Sequence, residues 1–174
     1  MPSTDHLKNY IRDIENFPEQ GILFRDITPL LESPKAFNEV LDNLEKQIKS
    51  SRCDIIAGIE SRGFIFAVPV ASRLHLPFVP IRKPGKLPFD KLSVAYELEY
   101  GSGELEIHKD AIADEQKVFL VDDILATGGT LGAAASLINS SGGVLAGAGV
   151  VIELTELDGR NVAGIGDLYS VLKY

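Results

Sequence analysis

Residues 118–130 read Val118-Phe-Leu-Val-Asp-Asp-Ile-Leu-Ala-Thr-Gly-Gly-Thr130, an apolar run followed by two acids and a loop of small residues. The run 118–121 predicts a strand that is buried on both faces, as in a parallel sheet. From Thr130 onward the apolar residues have helical spacing, which predicts a helix with one apolar face. The segment therefore joins a buried strand to the N-terminus of a helix.

The loop between them carries groups that suit a sugar phosphate. Its backbone N–H groups, the hydroxyls of Thr127 and Thr130 and the helix N-terminus favour a bound phosphate. Asp122 and Asp123 can accept hydrogen bonds from the vicinal hydroxyls of a ribose. The loop lacks the Gly-Lys-Ser/Thr ending of the nucleotide P-loop, and the dinucleotide fingerprint lacks paired acids before its glycines. An ordinary strand–turn–helix is the alternative, although adjacent acids at a strand end would repel each other.

Composition limits the class of protein. The chain has 174 residues, of which 45% are hydrophobic, and we expect a single domain over residues 1–174. A net charge of −8 argues against general nucleic-acid binding. The single cysteine, Cys53, allows no internal disulfide, which favours a reducing, cytoplasmic location. Neither a signal peptide nor an apolar run near the roughly 20 residues that span a bilayer is evident, so no membrane partner is expected.

The N-terminal part predicts a helix, a break and a short extended piece. Apolar residues recur at helical spacing over residues 7–14, and Phe17-Pro-Glu-Gln-Gly21 ends that helix. Residues 22–27 are expected to be extended. Ser33 and Pro34 fit the start of a second helix, with serine as the N-cap and proline in the first turn.

The rest of the chain alternates strands with helices. We expect strands over residues 54–59, 78–81 and 144–154, a hairpin formed by residues 94–100 and 104–108, and a helix over residues 64–74. Pro69 falls inside that helix and predicts a kink or a late start. The alternation indicates an α/β fold with a mainly parallel central sheet flanked by helices. The apolar tail, residues 167–174, is expected to pack on this domain.

Three polar segments follow expected strands, at residues 60–63, 82–83 and 122–130. Ligands of parallel α/β sheets bind at the carboxyl ends of the strands. We therefore expect these three segments, which are far apart in sequence, to meet at one edge of the sheet and form a single active site.

Basic residues are concentrated after the second of these strands. Arg82, Lys83, Lys86 and Lys91 lie within ten residues, on a loop rich in proline and glycine. Such a loop could close over a polyphosphate and neutralise a leaving group. A solvated basic loop is the alternative.

Two further segments could contribute to chemistry. Arg62 could hold a phosphate in two hydrogen bonds or bind a base, or it could simply pair with Glu60. Gly63 permits a close backbone approach. Glu99, in the expected hairpin, could orient or deprotonate a base, although a solvated face is the default for such an acid.

Metal ligation by the protein itself is not expected. The three histidines, His6, His75 and His108, lack the spacing of metal ligands. A Mg²⁺ ion held mainly by substrate phosphates would fit, because Mg²⁺ keeps waters and uses few carboxylates.

Several motifs carry a resemblance to a known family. Residues 118–130 resemble the phosphoribosyl-pyrophosphate signature of type I phosphoribosyltransferases. Four other segments resemble the adenine-specific branch of that family, in the same order: residues 17–31, Glu60-Ser-Arg-Gly-Phe64, Arg82-Lys-Pro-Gly-Lys-Leu-Pro88 and Leu98-Glu-Tyr-Gly101. The match extends from about residue 15 to the end of the chain.

The resemblance implies a fold and a reaction. The fold is the type I phosphoribosyltransferase fold, with a flexible hairpin lid at about residues 84–106 and a small N-terminal hood that binds the base, at about residues 1–32. The reaction is the transfer of the 5-phosphoribosyl group from phosphoribosyl pyrophosphate to adenine, giving AMP and pyrophosphate in purine salvage. The resemblance also implies Mg²⁺ and a homodimer, with Arg82 reaching into the partner's site.

Roles for individual residues follow from the same resemblance. Asp122 and Asp123 would take the ribose hydroxyls, and the 5-phosphate would lie on Ala126, Thr127, Gly128, Gly129 and Thr130. The pyrophosphate would be bound by Glu60, Ser61, Arg62, Arg82, Lys83 and Lys86. Adenine would contact Leu23 and Arg25, largely through main-chain groups, and Arg62. Glu99 and Arg62 are the expected catalytic residues, and the loop from Glu60 to Arg62 can carry a non-proline cis peptide.

Two alternatives stay open. One is a transferase for a 6-oxopurine or orotate. The other is a regulator of the same fold that senses purines or phosphoribosyl pyrophosphate, but such proteins tend to carry an added nucleic-acid-binding part, and no segment here is long or basic enough for one. Residues 151–160 and the tail carry no recognisable motif, and we assign them to scaffold, dimer or base-cover surface.

Overall fold

The computed structural model describes residues 3–97 and 102–174 of the chain. Its strands are β1 (Arg12–Glu15), β2 (Leu23–Asp26), β3 (Ile55–Ile59), β4 (Phe78–Ile81), β5 (Lys91–Glu97), β6 (Ser102–His108), β7 (Lys117–Leu125), β8 (Val144–Glu153) and β9 (Leu168–Lys173). Its helices are α1 (Thr28–Glu32), α2 (Pro34–Ser51), α3 (Arg62–Leu74), α4 (Gly129–Ser140) and α5 (Gly159–Ala163), with 3₁₀ turns at Asp5–Tyr10 and Thr155–Leu157.

A five-stranded parallel sheet in the order β4-β3-β7-β8-β9 forms the centre of the fold. Side chains alternate between its faces, so Val118 and Leu120 join one apolar cluster and Phe119 and Val121 join the other. Helices α2 and α3 cover the second face, while α4 and the β5–β6 hairpin cover the first. The expected parallel α/β architecture is confirmed, and the apolar tail becomes the edge strand β9.

The acids of the opening segment lie inside strand β7, which corrects the expectation that the strand ends before them. Asp122 pairs with Val150 of β8, and pairing continues to Leu125 opposite Glu153. The neighbouring strand extends beyond the apolar run, and its backbone hydrogen bonds carry β7 past the two carboxylates.

The expected helix over residues 7–14 is also wrong in its second half. After the 3₁₀ turn, β1 pairs in antiparallel register with β2, which places Ile14 opposite Phe24. Pairing between strands satisfies the backbone groups that a short, marginal helix would otherwise have to satisfy alone. The 3₁₀ turn, β1, β2 and α1 form a hood at the carboxyl end of the sheet. Of these elements, α1 was not predicted from the sequence.

Two other expectations need smaller corrections. Helix α3 begins at Arg62, two residues before the expected start, and Pro69 lies inside it. The β5–β6 hairpin is confirmed from Lys91 opposite His108 onward, while the predicted turn at Gly101 lies outside the described residues. Within the two described ranges, no helix has both the length and the hydropathy needed to cross a membrane.

Candidate active site

A cavity of about 480 Å³ lies where the three polar segments meet. Its lining includes Glu60, Ser61 and Arg62 from the end of β3, Lys83 from the end of β4, and Asp122, Asp123 and Thr130 from β7 and α4. The expected convergence at one edge of the sheet is therefore confirmed.

The paired acids are almost completely buried in the wall of this cavity. Asp122 is 7% exposed and Asp123 is 4% exposed. Burial, reinforced by the charge of Asp123, raises the pKa of Asp122 well above its ordinary value. Burial also raises the pKa of Asp123, although the positive charge of Arg62 opposes that rise. The fold therefore holds two carboxyl groups where ionisation is costly, an arrangement typical of functional sites.

Asp123 is paired with a positive charge. Arg62 Nη2 lies 2.6 Å from Asp123 Oδ2, which makes an ion pair. Asp122 Oδ1 accepts a hydrogen bond of 2.8 Å from the N–H of Asp123. Because an ionised carboxylate has about four lone-pair sites, Asp123 can keep its ion pair with Arg62 and still accept a hydrogen bond from a ligand hydroxyl.

Gly63 lets the start of α3, and with it Arg62, lie close to Asp122 and Asp123. A Cβ on Gly63 would lie 2.8 Å from Asp122 Oδ1 and 3.0 Å from the carbonyl oxygen of Val121, so only glycine lets the first turn of α3 approach β7 so closely. The close approach predicted for Gly63 is confirmed. The peptide bond between Glu60 and Ser61 is cis, as the resemblance implied.

Glu60 pairs with Arg82 rather than with Arg62. Its carboxylate accepts hydrogen bonds of 3.2 Å from both Nε and Nη2 of Arg82, and one of 3.0 Å from the N–H of Lys83. The bonds from Arg82 hold the pKa of Glu60 below its ordinary value. Arg82 Nη1 also donates to the carbonyl of Lys86 at 3.2 Å. Glu60 and Arg82 thus fix the loop that presents Lys83, and the alternative pairing of Arg62 with Glu60 is wrong.

The small-residue loop lines an adjoining cavity of about 100 Å³. Ala126, Thr127 and Gly128 contribute to it, together with Asp122 and Thr130. Gly128 has φ = 87°, in the left-handed region that favours glycine. Among the described residues, no hydrogen bond is donated by the N–H groups of residues 126–130. These groups stand at the N-terminus of the 12-residue helix α4, where an anion is favoured.

In the hood, Phe24 rather than Leu23 or Arg25 lines the larger cavity. The guanidinium carbon of Arg62 lies 5.1 Å from the centre of the Phe24 ring. Arg25 turns away, hydrogen-bonds Asp13 and packs its guanidinium 4.0 Å from the centre of the Tyr174 ring. Side chains alternate along β2, so Phe24 lies on one face of the strand and Leu23 and Arg25 lie on the other. This alternation can be seen in the sequence and could have identified Phe24.

Tyr96 is a second residue that sequence reasoning missed. It lies on β5, lines the cavity and accepts a hydrogen bond of 3.3 Å from Thr130 Oγ1. No local pattern predicts this contact, because it depends on how the hairpin packs against α4. Glu99, the expected catalytic acid, lies outside the described residues.

Another cavity, of about 300 Å³, lies at the opposite end of the sheet, between α2 and the starts of β8 and β9. The described residues that line it include no lysine or arginine. It therefore does not suit a phosphorylated ligand.

Comparison with known proteins agrees with this geometry. Residues 26–161 match the family model described as phosphoribosyl transferase domain. A curated adenine phosphoribosyltransferase of Caldanaerobacter subterraneus subsp. tengcongensis is 51% identical over 170 residues, which cover 98% of each chain.

Solved structures give the same match. The crystal structure of adenine phosphoribosyltransferase from Thermoanaerobacter pseudethanolicus superposes with a TM-score of 0.94 at 49% identity, over 99% of this chain and 100% of that one. The enzyme from Saccharomyces cerevisiae, solved with adenine and an imino-altritol bisphosphate, gives a TM-score of 0.90 at 39% identity, over 97% of this chain and 98% of that one.

Proposed function

The chain belongs to the phosphoribosyl transferase domain family, and we propose that it transfers the 5-phosphoribosyl group of phosphoribosyl pyrophosphate to adenine, forming AMP and releasing pyrophosphate. The observation that carries the proposal is the match, over nearly the whole length of both chains, to relatives named adenine phosphoribosyltransferase. The buried acid pair beside a phosphate-binding loop supplies the chemistry that such a reaction needs.

The ribose 5-phosphate would lie across the two cavities. The N–H groups of residues 126–130 and the hydroxyls of Thr127 and Thr130 would donate to the 5-phosphate. The ribose hydroxyls would donate to Asp122 and Asp123, and Asp123 would keep its ion pair with Arg62. Binding would thus use the acceptor capacity that Arg62 leaves free on the buried carboxylate.

The leaving pyrophosphate would lie against positive charge at the mouth of the site. Arg62 and Lys83 line the cavity, and the loop fixed by Glu60 and Arg82 would bring Lys86 toward it. Preorganised positive charge that faces a departing anion lowers the barrier without reorganisation during the reaction. Ser61, in the segment between β3 and α3, would contribute backbone groups.

Mg²⁺ fits this set of groups as an ion held mainly by diphosphate oxygens. Among the described residues, no group of three or more histidine, cysteine or acidic side chains could hold a metal alone. Asp122 and Asp123 are the carboxylates on the cavity wall that remain once Glu60 is paired with Arg82. When bound, Mg²⁺ would neutralise part of the charge that develops on the leaving pyrophosphate.

Adenine would enter between the hood and Arg62. Phe24 offers an apolar ring at this place, and the main chain of Leu23 and Arg25 would make the base-specific hydrogen bonds. A carbonyl that accepts from the 6-amino group rejects a 6-oxo base, and the loss of such a bond discriminates strongly. Glu99 would orient the base or handle its proton at N9.

Three further features belong to the proposal. Residues 84–106 would act as the lid that excludes water from a cationic ribosyl intermediate. The protein would form a homodimer. It would work in the cytoplasm, consistent with one free, buried cysteine.

The deciding experiment measures pyrophosphate release with Mg²⁺ and phosphoribosyl pyrophosphate, with adenine, hypoxanthine, guanine and orotate tested in parallel. We expect release with adenine alone. Release with a 6-oxo base would overturn the base pocket while keeping the reaction. Silence with all four bases, while phosphoribosyl pyrophosphate still binds, would overturn catalysis and favour a regulator.

A further inference from the structure

Two glycines bring the phosphate-binding loop into direct backbone contact with helix α5. A Cβ on Gly128 would lie only 2.1 Å from the carbonyl oxygen of Gly159. A Cβ on Gly159 would lie 2.0 Å from the carbonyl oxygen of Ala126. No side chain separates the two segments, so the conformation of the loop depends directly on where Gly159 is held.

Helix α5 has little of its own to hold Gly159 in place. It has five residues, and its N-cap Asp158 makes no side-chain capping bond. So short a helix is not stable in isolation. Its position must therefore be fixed by contacts with the rest of the domain.

Ala163 supplies apolar packing against Gly132 of α4, and Arg160, the residue after Gly159, supplies the polar contacts. Its Nε and Nη2 donate to the two carboxylate oxygens of Glu153, at 3.0 and 2.6 Å. Nη2 also donates to Ser170 Oγ at 3.2 Å, and Nη1 donates to the carbonyl of Leu168. Ser170 Oγ in turn donates to Glu153. A guanidinium bonded in this way to β8 and β9 has little freedom to move.

Glu153 links this cluster to the strand that leads into the loop. It is 4% exposed and lies opposite Leu125, the last residue of β7, in the sheet register. The hydrogen bonds from Arg160 hold the pKa of Glu153 below its ordinary value, so the pair is charged at neutral pH. The cluster therefore connects β7, which leads into the loop, with α5, which packs against the loop.

We propose that Arg160, held by Glu153 and Ser170, is a positioning residue for the phosphate-binding loop. It acts through Gly159 on residues 126–128, and it thereby sets the affinity for the 5-phosphate of phosphoribosyl pyrophosphate and AMP. This inference rests on the proposed function. It gives a role to residues 151–160, for which the sequence offered no motif.

The test replaces Arg160 with methionine, which keeps much of the side-chain volume and removes the hydrogen bonds. Arg73→Met is the matched control, because Arg73 is similarly exposed, at 31% against 34%, and pairs with Asp42 and Glu45 on α2, away from the loop. We expect Arg160→Met to raise KM for phosphoribosyl pyrophosphate about tenfold or more. KM for adenine should remain within about twofold of the wild-type value. Arg73→Met should leave both values unchanged.

Binding measured without catalysis separates this inference from the proposed function. Calorimetric titration of wild type with ribose 5-phosphate and with AMP comes first, and absence of binding there would overturn the proposed function. If wild type binds and Arg160→Met binds equally well, the positioning role is wrong. Should Arg160→Met not fold, Arg160→Lys and Ser170→Ala carry the test, because each removes only part of the network. Unchanged affinity for ribose 5-phosphate in both milder variants would likewise overturn the proposal.

Discussion

Burial and the neighbouring charge of Asp123 disfavour the ionised form of Asp122. Because the folded protein holds this proton to a higher pH than the unfolded chain does, stability should fall as the pH rises from the ordinary aspartate value of 3.8 through the raised pKa of the folded state. The charge of Asp122, the residue proposed to bind the ribose hydroxyls, therefore costs stability at neutral pH. Such opposition between stability and function is common in binding sites.

Asp122→Asn should separate these two effects. The amide oxygen can still accept from the N–H of Asp123, but no buried charge has to form. We expect a Tm at pH 7 that is about 3 °C higher and an affinity for phosphoribosyl pyrophosphate that is about tenfold lower. Thermal unfolding between pH 4 and 8 and calorimetric titration measure both. Asp110→Asn, at an exposed turn, is the control, and a lower Tm for Asp122→Asn at pH 7 would contradict the argument.

Gly63 gives a second, purely steric test. A methyl group there would collide with Asp122 Oδ1 and with the Val121 carbonyl, so Gly63→Ala must push α3 away from β7. We expect a loss of about 2 kcal/mol in the free energy of unfolding, measured in urea, and weaker binding of phosphoribosyl pyrophosphate. Gly166→Ala, where a Cβ meets open space, should change neither quantity. Equal behaviour of the two variants would refute the close packing.

The hood is held against the sheet by the end of the last strand. The Tyr174 ring lies 4.0 Å from the guanidinium of Arg25 on β2 and 5.0 Å from Lys8 Nζ. Each cation over an aromatic face is worth about 1 kcal/mol. Since β2 is the element that would bind adenine, Tyr174 should control how firmly the base pocket is formed.

Tyr174→Ala is therefore expected to raise KM for adenine about fivefold, with KM for phosphoribosyl pyrophosphate unchanged. Tyr174→Phe keeps the ring and should behave as wild type. Steady-state kinetics with each substrate varied in turn measure the difference. A parallel rise in both constants would mean that Tyr174 supports the whole site rather than the hood.

Some of the strands and helices can be predicted from the sequence and others cannot. Strands β3, β4 and β8 and helix α2 follow from runs of apolar residues and from Ser33-Pro34, because these signals are local. The end of β7 does not, since pairing with β8 carries it through two acids. Residues 12–15 become a strand only because β2 pairs with them. Pairing between distant segments overrode local periodicity in both cases.

For the molecule as a whole, the sequence predicts where the site lies but not which charged side chains pair within it. Parallel α/β topology places residues 60–63, 82–83 and 122–130 at one edge, and the cavity lies there. The ion pairs that join Glu60 to Arg82 and Arg62 to Asp123 depend on side-chain directions that no spacing encodes. The contact between Gly128 and Gly159 likewise arises only in the folded domain.

Both apolar clusters share the strands of one sheet, so the domain should unfold as one cooperative unit that includes the hood. Ligands that bind only the folded state add stability, about 2.7 kcal/mol at one hundred times Kd. We therefore expect a single calorimetric transition that AMP shifts upward by about 5–10 °C at that concentration. IMP, which carries a 6-oxo group, should shift it much less. If the protein is a homodimer, Tm will also rise with protein concentration. Two separate transitions would contradict the single domain, and equal shifts by AMP and IMP would contradict an adenine-specific pocket.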